Sequence, residues 1–155
     1  MAAGEYRTVF PATNIALIGR MFSWEPGARN PTSQPIATAE EVAKRAAELL
    51  RRYHETDGEF PGLSLVPEAK HWGSLAIAVA PIGWALIHNS EDYLTQHCTR
   101  GSDSDGGASI PVHFDDQTLI PRNSFIPEKL ALEGVRHFIE RGELAPNLPW
   151  TDRCE

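Results

Sequence analysis

Between Val42 and Tyr53 apolar side chains recur every three or four residues, at Val42, Ala46, Leu49, Leu50 and Tyr53. Glu40, Lys44, Arg45, Glu48, Arg51 and Arg52 fill the positions between them. One apolar stripe on an otherwise charged cylinder is the pattern of a helix packed by a single face. Thr38 followed by Glu41 forms a capping box, in which a hydroxyl and a carboxylate satisfy backbone N–H groups at the helix start. The helix is expected to stop near Thr56, ahead of Gly58 and Pro61. A second stripe, Ala131, Val135, Phe138 and Ile139 with Leu132, predicts another helix, with Pro127 at its first position and Gly142 as its stop. Gly134 inside that helix costs about 1 kcal/mol relative to Ala, so a close approach by another segment is expected there.

The middle of the chain has a different period. In Ser74–Ala80, Leu75, Ile77 and Val79 alternate with alanines, and after Pro81-Ile82-Gly83 the segment Trp84–His88 continues in the same vein. Two such runs around a turn predict an antiparallel pair with one face buried under a helix. Leu63–Val66 and Ser109–Phe114 are expected to add strands, with Pro111 confining the latter to an edge or a bulge. Asp103–Gly107 reads as a turn. Before Thr38 the signals are weaker: a short strand around Ala12–Ile18, then a loop rich in Pro, Gly, Asn and Ser from Ser23 to Pro35. After Gly142, the tail from Leu144 to Trp150 is expected to lay Leu148 and Trp150 back onto the core. The prediction is a single α+β domain over residues 1–155, an antiparallel sheet with two main helices packed on it. Residues 1–37 are its loosely organised part and residues 38–150 its core.

Composition narrows the function. The chain has 155 residues, 14 Lys and Arg against 21 Asp and Glu, and a formal charge of −7. Phosphate contacts need a basic face, so nucleic acid is not the expected partner. An acidic surface suits a basic protein, although acidity also serves solubility alone. Cys98 and Cys154 are the two cysteines, too few for a disulfide scaffold, and no CxxC pair starts a zinc site. The first twenty residues lack a signal-peptide pattern and no apolar run approaches a membrane span, which predicts a cytoplasmic protein.

Residues able to carry chemistry do not assemble into a recognisable set. His97-Cys98, with His88, offers a base, a thiol and a third ligand, and so an alternative reading as a small metal- or thiol-dependent enzyme. Adjacent residues on a strand point apart, however, which works against a nucleophile–base pair. Phosphate-loop, GxSxG and HExxH patterns are absent from the sequence. Asp103-Ser104-Asp105-Gly106 begins like a calcium loop but has Phe114 where the bidentate Glu belongs. The expectation is a binding protein rather than an enzyme, without cofactor or metal. Glu91, Asp92, Asp103, Asp105, Asp115 and Asp116 share a stretch whose one cation is Arg100. With Tyr93, an aromatic of the kind that anchors interfaces, they form the expected partner-binding surface.

Two stretches carry a family resemblance. Trp72-Gly73-Ser74-Leu75-Ala76-Ile77-Ala78-Val79 with Gly83-Trp84-Ala85-Leu86-Ile87-His88 resembles the central hairpin of the Imm-one immunity proteins of bacterial polymorphic toxin systems. The ending is also similar: Ile120-Pro121, Ile126-Pro127, Ala131, Val135-Arg136-His137-Phe138-Ile139-Glu140-Arg141-Gly142-Glu143-Leu144, then Leu148-Pro149-Trp150. The resemblance runs from about Ala39 to Trp150. Trp84, Phe138 and Trp150 match the family pattern and are read as core. It implies an antitoxin that binds a cognate toxin domain tightly and holds it inactive in the producing cell. Such toxins are often nucleic-acid deaminases, whose DNA-binding groove must be basic. Another immunity or adaptor family with the same α+β look is the remaining alternative.

Overall fold

The computed structural model describes residues 17–53, 58–101 and 108–154. Its elements are β1 (Gly19–Trp24), β2 (Thr32–Ile36), α1 (Ala39–Arg52), β3 (Phe60–Pro67), β4 (Ser74–Ala80), β5 (Gly83–Asn89), β6 (Gln96–Thr99), β7 (Ser109–His113), β8 (Gln117–Pro121), α2 (Glu128–Arg141) and β9 (Trp150–Thr151). The main sheet runs β2-β1-β3-β4-β5-β6-β9, antiparallel throughout. The β7–β8 hairpin joins it by a short parallel contact, Phe60 opposite Val112 and Pro61 opposite His113. The α+β architecture with two main helices on a largely antiparallel sheet is as the periodicity predicts.

Both helices lie on one face. Leu63, Leu65, Leu75, Ile77, Val79, Trp84 and Leu86 meet Val42, Ala46 and Leu49 of α1 and Ala131, Val135, Phe138 and Ile139 of α2 in one buried cluster. The capping box of α1 is formed: Glu41 N–H donates to Thr38 Oγ1 at 3.3 Å, and Thr38 N–H donates to Glu41 Oε1 at 2.8 Å. Arg136 of α2 donates to Glu40 of α1 at 2.6 Å, and this contact holds the Glu40 carboxyl below its ordinary range. Gly134 is the expected close approach. A Cβ there would stand 2.5 Å from Leu148 Cδ2 and 2.9 Å from Leu86 Cδ1, so the tail and β5 both use the missing side chain. Gly142 ends α2 at φ 69°, the left-handed conformation in which glycine carries no Cβ penalty.

The opposite face is divided. Ala78, Ala80 and Ala85 are covered by Ile110, Val112 and Ile120 of the β7–β8 hairpin and by Phe125. Small residues on this face of β4 and β5 let the hairpin pack down on them. Phe114 reaches over Gly62. Beyond that, none of the described residues covers the face.

Several expectations are corrected. No strand includes Leu17 or Ile18, residues 12–16 lie outside the described residues, and the first strand is Gly19–Trp24. The stretch Ser23–Pro35 is not all loop, because Thr32–Ile36 pairs with β1 and makes residues 19–36 a hairpin of the sheet. Helix α1 stops at Arg52, with Tyr53 turning to an extended conformation and its ring stacked on Phe60 at 4.3 Å. Residues 54–57, including Thr56, lie outside the described residues. Pro127 caps α2 from just outside rather than occupying its first turn. Trp84 and Phe138 are core, and the tail lays Leu148 into that core with Trp150 packed half-buried against it, its indole N–H donating to Ala145 O at 2.8 Å. Among the described residues no helix is long and apolar enough to cross a membrane.

Trp84 is the largest fully buried side chain, and its backbone pairs with Ile126 just ahead of α2. Trp84→Ala is expected to lower stability by about 3–5 kcal/mol through the cavity it leaves. Urea denaturation measures this; an unchanged midpoint would show that the indole is not central to the core.

Candidate interaction site

The expected partner-binding residues fall into separate units. Glu91, Asp92 and Tyr93 sit in the turn between β5 and β6, and all three are exposed. Asp115 and Asp116 sit in the turn between β7 and β8, which is tied to β3 at Pro61. There Asp116 Oδ1 accepts from Gln117 N–H at 2.8 Å and Asp116 O accepts from Phe114 N–H at 3.1 Å, so this pair shapes its own turn. Among the described residues no hydrogen bond or ion pair joins the two turns. Asp103 and Asp105 lie outside the described residues.

The Ser90–Thr95 turn is tightly built. Ser90 N–H donates to Thr95 O at 2.9 Å, and Tyr93 N–H donates to Ser90 O at 2.9 Å. Asp92 Oδ1 accepts from Ser90 Oγ at 2.8 Å and from Leu94 N–H at 3.0 Å, while Ser90 Oγ accepts from Thr95 N–H at 3.0 Å. The Leu94 amide and then the Ser90 hydroxyl hold the Asp92 carboxyl below its ordinary range. This network fixes Tyr93 at φ 61°, the one non-glycine in the left-handed region among the described residues. That conformation is unfavourable for a side chain with a Cβ by about 1–2 kcal/mol. The result is to present Tyr93 at 72% exposure and Leu94 at 84%, the two most exposed large apolar side chains described.

Beside Tyr93 the uncovered half of the sheet forms a groove of about 350 Å³. Phe22 and Trp24 of β1, Ser64 and Val66 of β3, and Ser74 and Ala76 of β4 line it, with Pro31, Asn89 and Tyr93 at its edges. No charged side chain takes part in that lining. Trp24 Nε1–H donates to Ser64 Oγ at 3.2 Å, which holds the indole across β3. A smaller cleft of about 210 Å³ shares Val66, Ser74 and Tyr93 and adds Lys70 and Glu91. Sequence reading missed this groove because Trp24 lies in the stretch Ser23–Pro35 expected to be loop and Phe22, just ahead of it, in no expected element. The available signal was two-sided apolarity: Met21 faces the core while its neighbours Phe22 and Trp24 face the other way.

The alternative catalytic trio is split by the sheet. His88 and His97 are cross-strand partners and therefore share a face, whereas Cys98 is partnered with Ile87 on the other. His88 Nε2 lies 2.8 Å from Trp72 O with its ring edge-on to Phe138, and Cys98 is buried. Burial, and then the neighbouring Cys98 thiol, push the Cys154 thiol up to about 12, far from a thiolate nucleophile at neutral pH. Among the described residues no three His, Cys, Asp or Glu side chains gather where a metal ion could bind.

The turn has two measurable signatures. Asn tolerates the left-handed conformation better than Tyr, so Tyr93→Asn is expected to leave stability equal or higher, by up to about 1 kcal/mol. A loss of that size in thermal unfolding would mean that the ring supports the fold. Because the folded Asp92 pKa is lowered, its ordering of the turn is present above the ordinary carboxylate range and is lost as pH falls through the lowered value. Protection of the Leu94 amide from hydrogen exchange is expected to fall with it, and Asp92→Asn, which keeps an acceptor oxygen, is expected to flatten that acid transition.

No protein-family model matches the chain, and no curated protein matches it.

Proposed function

We propose that the chain is a cytoplasmic immunity protein, which binds a cognate bacterial toxin domain and silences it by covering a basic substrate-binding surface. One observation carries this reading: a strained, internally hydrogen-bonded turn presents Tyr93 and Leu94 to solvent between two acids and an open groove. Strain of this kind persists only where surrounding structure over-determines it, and it concentrates at binding and catalytic sites. Exposed aromatic anchors bordered by charge are what protein interfaces use. The resemblance between Ala39 and Trp150 supports the same reading and points to a nucleic-acid deaminase as the toxin. Such an enzyme needs a basic channel for its substrate, and the chain's charge of −7 is complementary to it. Inhibition then consists of tight complexation that denies substrate entry, with no covalent change to either protein.

Co-expression with the toxin domain encoded beside the chain's own gene tests the proposal. Restored growth and co-elution as one complex are expected; a toxin that neither binds nor is tamed overturns it. Glu91→Lys, which leaves the Asp92 hydrogen bonds of the turn in place, is expected to slow association at low salt severalfold and to weaken its salt dependence, with folding unchanged. Stopped-flow mixing at two ionic strengths reads both effects. Equal rates for variant and parent would move the interface elsewhere.

A further inference from the structure

Two clefts flank Tyr93 and differ in chemistry. The larger holds Phe22, Trp24 and Val66 over Ser64, with no charge in its lining, while the smaller carries both Glu91 and Lys70. Val66 is 44% exposed although it lies mid-sheet, because the β7–β8 hairpin covers only the other half of this face. Charge around the pair is polarised. Glu91 and Asp92 stand on the turn side and Glu68 is exposed at the end of β3, against Lys70 alone. On the β2 side stands Arg20, opposite Val66 in the register, its guanidinium donating to Ser33 Oγ at 3.0 Å.

Resting on the proposed function, we infer that this surface takes an extended segment of the partner protein that carries a bulky apolar side chain followed two residues later by Arg or Lys. Residues i and i+2 of an extended chain project to the same side about 6.5–7 Å apart, so the two side chains straddle Tyr93. The apolar one enters the uncharged groove and removes Val66 and the indole from water. The cation meets Glu91, the acid in the smaller cleft's lining, whereas the larger groove offers a cation no charged partner. The backbone at Tyr93 is already fixed by its turn, so the loop loses little further freedom on binding, which favours affinity.

Two pentapeptides supply the probe: acetyl-Gly-Phe-Thr-Arg-Gly-amide and its counterpart with Glu in place of Arg. With isotope-labelled protein at low salt, the Arg peptide is expected to give saturable shifts at Trp24, Val66 and Tyr93 at millimolar concentration, and the Glu peptide several-fold weaker ones. Shifts elsewhere, equal binding of both peptides, or none from either overturns the inference. Val66→Thr, which keeps the β-branched shape, and Tyr93→Ala are expected to weaken Arg-peptide binding and toxin binding severalfold with little change in melting temperature. If the parent binds the toxin and both variants bind it equally well, the groove assignment fails while the immunity reading stands. If the parent itself does not bind the toxin, the immunity reading fails.

Discussion

Alternation along β3, β4 and β5 sorts side chains by size between the two faces of the sheet. Leu63, Leu65, Leu75, Ile77, Val79, Trp84 and Leu86 lie under the helices, whereas the other face is mostly alanines, serines and Gly62, with Phe60, Val66 and Ile87 its larger members. Large aliphatic groups on one side give two amphipathic helices a common surface to bury. Small groups on the other admit the β7–β8 hairpin, but only over Ala78, Ala80 and Ala85. The same size sorting that makes the core thus determines which half of the second face remains open.

The turn and the groove reinforce each other through rigidity. A flexible loop bearing a Tyr would have to be ordered on binding, at a cost of about 0.5–1.5 kcal/mol per immobilised side chain. Here Ser90 and Asp92 have already ordered the backbone, and Trp24 is held by Ser64. Acids at the edge contribute encounter rate and orientation, while the aromatic and aliphatic surface contributes the contact that persists. Of the acids anticipated from composition, Glu91 and Asp92 sit in the turn beside this groove, whose apolar lining comes mainly from β1 and β3, whereas Asp115 and Asp116 belong to a separate turn.

Legibility in the sequence follows the range of the interactions. The α1 capping box is four consecutive residues of local chemistry, and the β4–β5 hairpin is two neighbouring runs around a short turn; both could be read directly. Gly134 announced a close approach, and Leu148 and Leu86 supply it. By contrast, β1 has apolar groups on both faces and so shows no alternation, while β6 and β9, Gln96–Thr99 and Trp150–Thr151, are too short and polar to signal anything before they pair. The acids of the β5–β6 turn were visible as composition. The left-handed Tyr93 and the groove beside it were not, because they arise from pairings between residues dozens of positions apart.

Hydrogen exchange of the chain alone and mixed with the proposed toxin partner, followed by mass spectrometry, tests the groove as an interface most directly. The account predicts that protection on binding concentrates in residues 90–95 and in the β1 and β3 segments around Trp24 and Val66, with α1 and α2 unchanged. Protection confined to the helices, with the Ser90–Thr95 turn exchanging as fast in the complex as in the free protein, would contradict it.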